Sequence, residues 1–323
     1  MRNFSDICTK QGILSKTDTV DMSEIHSFQE IYEHLGAQKR RCRIAVVCPD
    51  DECTRHAILE ALKFGMADFL LVSSAEALAS LPMEIIDNDA VITREADTPD
   101  EAAYVCVEAV RRGEAQILMK GLINTDNYLR AILNKEHGLL PKGAVLTHLS
   151  VAQLSGYHKL LFFSDVAVIP CPTLEQKTAM IRYDLDTIRR FGIECPKVAL
   201  IHFTEKVNEK FPNSVMCIEL EKMASGGEFG QVEMGGPMDV KAACNRHSAE
   251  VKGITSPVCG DADLLIFPNI ESANTFYKTI SLFGGADIAG VLQGAICPVV
   301  LSSRSDSAAS KLSSMALACV SAN

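Results

Sequence analysis

What most constrains this chain is a rhythm. Short apolar runs alternate with amphipathic stretches along nearly the whole length, the pattern of strands lying parallel in a sheet and joined by crossover helices. Strands are predicted at "RIAVVC" (43–48), "DFLLV" (68–72), "AQILMK" (115–120), "KVALIHF" (197–203), "DLLIFP" (263–268), "DIAGVLQG" (287–294) and "PVVL" (298–301). Helices are predicted over 52–65, 99–113, 125–137, 174–192, 239–252, 271–284 and 306–320. Several stop at glycine, the residue that closes a helix most readily. In the fourth of them Leu174, Lys177 and Ile181 alternate with Gln176 and Arg182, which predicts a surface helix with one packed face. The stretch "SGGEFGQVEMGGP" (225–237) reads as a loop close to a cleft, because backbone without side chains can approach a ligand. The fold class is therefore α/β, with mostly parallel sheets flanked by helices.

Length and charge narrow the function classes. At about 100 to 200 residues per domain, 323 residues predict two domains. The 41 acidic against 31 basic residues give a formal charge of -10, with no basic block, which argues against nucleic acid or an anionic membrane as partner. An anionic small substrate would need a local basic pocket. No apolar run reaches the roughly 18 residues that span a bilayer, and "MRNFSDICTK" carries no signal-peptide core, so a cytoplasmic location is expected. The 12 cysteines are scattered, without a C-x-x-C pair, and read as small buried hydrophobes. Cys42, Cys48 and Cys53 cluster around one strand but lack zinc-ligand spacing and a histidine pair.

The common catalytic templates fail. "GLLPKGA" has the glycine spacing of a phosphate-binding loop but Ala144 in place of its lysine, and no dinucleotide, zinc-protease or serine-hydrolase motif occurs. Two strand-to-helix junctions remain. In "MKGLINTDNYLRAILNKEHGL" a strand ends at Lys120, Gly121 opens the turn, and Asn124 or Thr125 caps a helix. Lysine, free amides and a helix dipole suit an anion there; a well-capped helix with a solvated lysine is the equal alternative. "PVVLSSRSDSAASKL" (298–312) repeats the design, with four serines, Arg304 and Asp306 between 302 and 307. One residue suffices for a cap, so this turn reads as a site at the carboxyl end of a strand. A third element, "GDADLLIFPNIESANTFYK" (260–278), sets Asp261 and Asp263 before a strand and Asn269, Glu271 and Asn274 after it. By themselves these read as caps.

These three stretches together resemble the phosphate acetyltransferase and phosphate butyryltransferase family, most closely its butyryltransferase branch, over roughly residues 44 to 318. The resemblance implies a chain that interconverts acyl-CoA plus phosphate with acyl phosphate plus CoA. It implies no metal, no tightly held cofactor, coenzyme A as substrate, and a homodimer or higher homo-oligomer. It also implies two α/β domains like those of the isocitrate and isopropylmalate dehydrogenases, with the active site between them. The first would span 1–145 plus 290–323, the second 146–289.

By the same resemblance Ser303 and Arg304 match the family's Ser-Arg pair. A hydroxyl such as Ser303 can stabilise the tetrahedral oxyanion, a donor typically worth about 10² to 10³ in rate. Arg304 can grip phosphate with two parallel hydrogen bonds. Lys120 would add a second positive charge. Gly121, Asn124, Thr125, Gly236, Pro237, Asp261 and Asn274 are carried over as substrate contacts. The acetyltransferase branch has an aspartate where this chain has Ser310, leaving Asp306 as the expected base. A free carboxylate near pKa 3.9 and a thiol near 8.5 make full proton transfer cost roughly 6 kcal/mol. Asp306 could act only in a concerted step, with its pKa raised, or beside a cation that acidifies the thiol.

Three positions depart from the family pattern. Gly235 and Lys241 stand where aspartates are usual, and Ile169 replaces an asparagine before proline. They imply either retuned acyl or phosphate recognition, or a divergent CoA-ester or acyl-phosphate binding protein without turnover. A metal- and nicotinamide-dependent dehydrogenase of the same fold group would need an aspartate cluster and a cofactor loop, neither of which is identified.

Overall fold

Along β1 (Cys42–Val47), Ile44 and Val46 pack on one side of a sheet while Ala45 and Val47 pack on the other, as the two-residue period of a strand requires. The computed structural model describes residues 24–301 and 306–322. The remaining strands are β2 (Ala67–Ser73), β3 (Val91–Glu95), β4 (Ile117–Lys120), β5 (Thr147–Gln153), β6 (Leu161–Ser164), β7 (Lys197–Ile201), β8 (Glu233–Met238), β9 (Leu264–Ile266), β10 (Asp287–Gln293) and β11 (Val299–Val300). They form one sheet in the order β3-β2-β1-β4-β11-β10-β5-β6-β9-β7-β8. The helices are α1 (Phe28–Gly36), α2 (Glu52–Phe64), α3 (Ala75–Ala79), α4 (Met83–Ile86), α5 (Pro99–Arg111), α6 (Thr125–Ile132), α7 (Leu174–Arg189), α8 (Pro212–Ser225), α9 (Val240–Cys244), α10 (Arg246–Val251), α11 (Ile270–Leu282) and α12 (Ala308–Ala322). The α/β class with one mostly parallel sheet holds.

All seven expected strands form, and four more join them. The parallel pairing gives way at the centre, where β10 runs antiparallel to β11 and β5, and β5 antiparallel to β6. The segments joining β5 to β6 and β10 to β11 are too short for a crossover, so only antiparallel pairing is open to them. The segment read as a loop ends in β8, whose Gly235, Gly236 and Pro237 are tolerated because β8 is an edge strand. The expected helix 125–137 stops at Ile132, because Asn134 Oδ1 accepts from the amides of Glu136 and His137 and turns the chain out of the helix. The expected helix 239–252 breaks at Asn245, which leaves helical geometry and caps α10 through Ser248 N at 2.9 Å. On α7 the packed face is as expected, with Lys177 buried beside Ile181 and its Nζ donating to Asn213 Oδ1 at 2.6 Å.

Candidate active site

The two faces of the sheet are built differently. On the first face a single apolar cluster runs from Ile44 through Leu149 and Phe162 to Leu264. On the second, Val47, Leu118 and Leu292 belong to one cluster and Ala152, Phe163 and Ile288 to another. Between these clusters β5 and β10 present His148, Ser150 and Gly290 instead of hydrocarbon. This polar seam opens on a cavity of about 170 Å³.

Four elements converge there. From β5 come His148 and Ser150, 3.3 Å apart from Nδ1 to Oγ. From α11 come Asn274, Tyr277 and Lys278, the lysine ammonium lying 4.3 Å from the centre of the tyrosine ring. Asp306 and Ser314 approach from the last helix and the turn before it, and Ser314 Oγ accepts from Gly290 N at 3.0 Å. Gly290 makes room for the imidazole: a Cβ there would lie 2.6 Å from His148 Cε1 and 2.8 Å from Nε2. Burial pushes the His148 imidazole below its ordinary pKa of 6.5, against the upward pull of the Asp165 and Asp306 carboxylates. Burial likewise raises the Tyr277 phenol, and Asp306 adds to that shift.

Below the seam Asp165 ties the polar strand down. Its Oδ2 accepts from Thr147 Oγ1 at 2.9 Å and His148 N at 3.2 Å, while its Oδ1 accepts from the amides of Ala167 and Val168 at 2.8 and 2.9 Å. Sequence reasoning missed His148, Ser150 and Asp165. A strand reading "THLSVAQ" lacks the apolar run that marks the others, though its alternation of polar and apolar residues was a usable signal.

The expected residues divide into those near this cavity and those away from it. Asp306 and Asn274 both line it, and Asn274 Nδ2 donates to Val166 O at 3.0 Å. Ser303 and Arg304 lie outside the described residues. Lys120 is buried at the carboxyl end of β4, and the pairing of Val300 with Met119 sets it beside Leu301, next to that segment. The two strand-to-helix junctions are therefore neighbours on the sheet. The amides expected to be free after Lys120 are not: Gly121 N donates to Val47 O and Leu122 N to Cys48 O, at 2.8 and 2.7 Å. Gly121 is required by this approach, since a Cβ would lie 2.1 Å from Cys48 O. Asn124 caps α6 through Asp126 N at 3.2 Å, and Thr125 is its first residue.

Asp261, Gly236 and Pro237 are not brought to the cavity. Asp261 binds Lys197, Lys159 and His158 at 2.5, 2.9 and 2.8 Å, at the amino ends of β7 and β9. Burial alone would raise its carboxyl, but the hydrogen bonds from Lys197, Lys159 and His158 hold it far below the ordinary range. Gly236 and Pro237 lie on β8, six strands from β11, which at about 4.8 Å per strand is roughly 29 Å of sheet. At Gly235 a Cβ would sit 2.4 Å from Ser256 Oγ, so a side chain there requires that hydroxyl to turn away. Lys241 lines a separate, largely apolar cavity of about 660 Å³ with Phe203 and Phe211.

Comparison with known proteins places this geometry. Residues 37–319 match the family model described as phosphate acetyl/butaryl transferase. The chain is 36% identical over 296 residues to the phosphate butyryltransferase of Clostridium acetobutylicum, covering 91% of this chain and 97% of that one. Among solved structures, a branched-chain phosphotransacylase from Enterococcus faecalis superposes with a TM-score of 0.78 at 28% identity, covering 87% of this chain and 99% of that one. A 4-hydroxythreonine-4-phosphate dehydrogenase from Salmonella typhimurium, at 11% identity and a TM-score of 0.54 over 87% of this chain and all of its own, shares the fold alone. Matched along nearly its whole length, the chain belongs to the phosphate acetyl/butaryl transferase family.

Proposed function

We propose that this phosphate acyltransferase interconverts a short or medium acyl-CoA and phosphate with an acyl phosphate and CoA, butyryl-type chains being preferred, as a homodimer or higher homo-oligomer in the cytoplasm. The observation that carries the reading is the polar seam, which among the described residues separates the two apolar clusters of the second face and brings Asp306 and Asn274 to one cavity. The same split supports two domains, 1–145 plus 290–323 and 146–289. The buried members of one cluster come from residues 45–146 and 292–299, those of the other from 152–288. The butyryl preference rests on the likeness to the Clostridium enzyme.

In the assigned roles Arg304 grips the phosphate, Ser303 donates to the oxyanion of the tetrahedral intermediate, and Lys120 supplies a further positive charge at the carboxyl end of β4. The test mixes the purified protein with phosphate and acetyl-, propionyl-, butyryl- or branched acyl-CoA and follows free thiol. Release fastest with butyryl-CoA supports the proposal. Binding of CoA with no thiol from any donor would leave a non-catalytic CoA-ester binding protein. Arg304→Lys should lower the phosphate-dependent rate at least about tenfold, because lysine cannot copy the bidentate grip, while Tm barely moves. Equal losses in rate and Tm would make Arg304 structural.

A further inference from the structure

Resting on the acyl-transfer reading, we propose that His148 is the group that takes the thiol proton. The carboxylate that the acetyltransferase branch is expected to carry six residues after Arg304 is absent, since Ser310 stands there, its amide donating to Ser307 Oγ at 3.1 Å. Among the described residues that line the seam cavity, the alternatives are spent or chemically unsuited. Asn274 has its amide on Val166 O, Ser150 and Ser314 are hydroxyls, and the Lys278 ammonium only donates. The Tyr277 phenol is held in its protonated form by burial. Asp306 is an acceptor, but an ordinary carboxylate lies about 4.6 units below a thiol, against about 2 for an ordinary imidazole.

His148 has the position and the form the step requires. Its ring lines the cavity over Gly290, where no side chain intervenes. Burial keeps it uncharged, so a ring nitrogen has a lone pair to offer. The step uses the tautomer in which Nδ1–H donates across the 3.3 Å contact to Ser150 Oγ, which makes Nε2 the accepting nitrogen. The step then balances. Nε2 takes the S–H proton as sulfur bonds to the acyl carbon, and collapse of the tetrahedral intermediate breaks the carbon–oxygen bond to phosphate, which leaves with the electron pair. The imidazolium passes its proton to the departing phosphate or to water; in reverse it returns a proton to the leaving thiolate.

The experiment compares the parent chain with His148→Ala, Ser150→Ala and Gly290→Ala in transfer from butyryl phosphate to CoA. The charged or titrating groups that face the ring are Asp165 after β6, Asp306 before α12, and Tyr277 and Lys278 on α11, so each pH profile is read against the parent's. His148→Ala is expected to lower kcat about 10² to 10³-fold with little change in the KM for CoA, to lose the acidic limb of the pH profile, and to regain rate with added imidazole. Ser150→Ala and Gly290→Ala should each cost about tenfold, by freeing or displacing the ring. Parent activity with a His148→Ala rate within threefold, or a loss that imidazole does not restore and that leaves the acidic limb in place, overturns the base assignment alone. A parent that transfers no acyl group overturns the reading beneath it as well.

Discussion

Strands β4 and β5 lie three places apart in one sheet, equally buried and built on opposite principles. β4 reads Ile117, Leu118, Met119, Lys120, and its first three side chains fill the two apolar layers by volume alone. β5 reads "THLSVAQ", and Thr147, His148 and Ser150 are buried with partners rather than with hydrocarbon. Burying a polar group without a hydrogen bond costs about 1 to 3 kcal/mol, so β5 is possible only because Asp165 and Ser150 answer it. The difference separates a strand that supports from a strand that can react. Volume makes β4 rigid, whereas partnered polar groups let β5 hold an imidazole against a cavity.

If that contrast is right, the two strands should break in different ways. Asp165→Ala strips the acceptor from Thr147 Oγ1 and from the amides of His148, Ala167 and Val168. The loss should be about 4 kcal/mol in urea unfolding, less than the sum of the separate bonds because the loop can relax toward water. A change below about 1 kcal/mol would show that β5 does not depend on its partners. Gly121→Ala attacks the end of β4 by volume. The added methyl meets the carbonyls of Cys48 and Val47, both backbone, so the chain must move. About 2 to 3 kcal/mol should be lost. An unchanged unfolding midpoint would mean that the β4 edge is not close-packed.

The same contrast explains what the sequence disclosed. Wherever strands filled apolar layers, as in "RIAVVC" or "AQILMK", the run was visible because transfer of hydrocarbon from water is all that holds it. Asp306 and Asn274 were legible as polar residues next to such runs. His148 was not, because the feature that makes it a candidate base is the meeting of β5, β10 and α11, residues far apart in the chain. Asp261 misled for the mirror reason. Its place beside a buried strand read as a cap and the resemblance made it a substrate contact, while the lysines that claim it, Lys159 and Lys197, come from other strand ends. Single-sequence patterning reports layers, and a site lies where layers are interrupted.

The subtlest test concerns the layer beneath β6. Asp184 on α7 is fully buried and accepts from Ser164 Oγ at 2.5 Å. Its carboxyl is raised from the ordinary 3.8 to about 8, chiefly by burial, with the Ser164 hydrogen bond pulling the other way and the charge of Asp165 adding to the rise. The folded chain therefore keeps a proton that the unfolded chain releases near pH 4. A group raised in this way adds stability that is complete below its unfolded pKa and declines as pH rises toward the folded value. Asp184→Asn keeps the shape and stays neutral at every pH, so it abolishes the decline. At pH 4 the variant should match the parent within about 1 kcal/mol, since one neutral group replaces another. Its Tm should then gain on the parent's steadily up to pH 8. Parallel Tm curves from pH 4 to 8 would mean that Asp184 is ionised in the fold, a buried charge rather than a neutral acid.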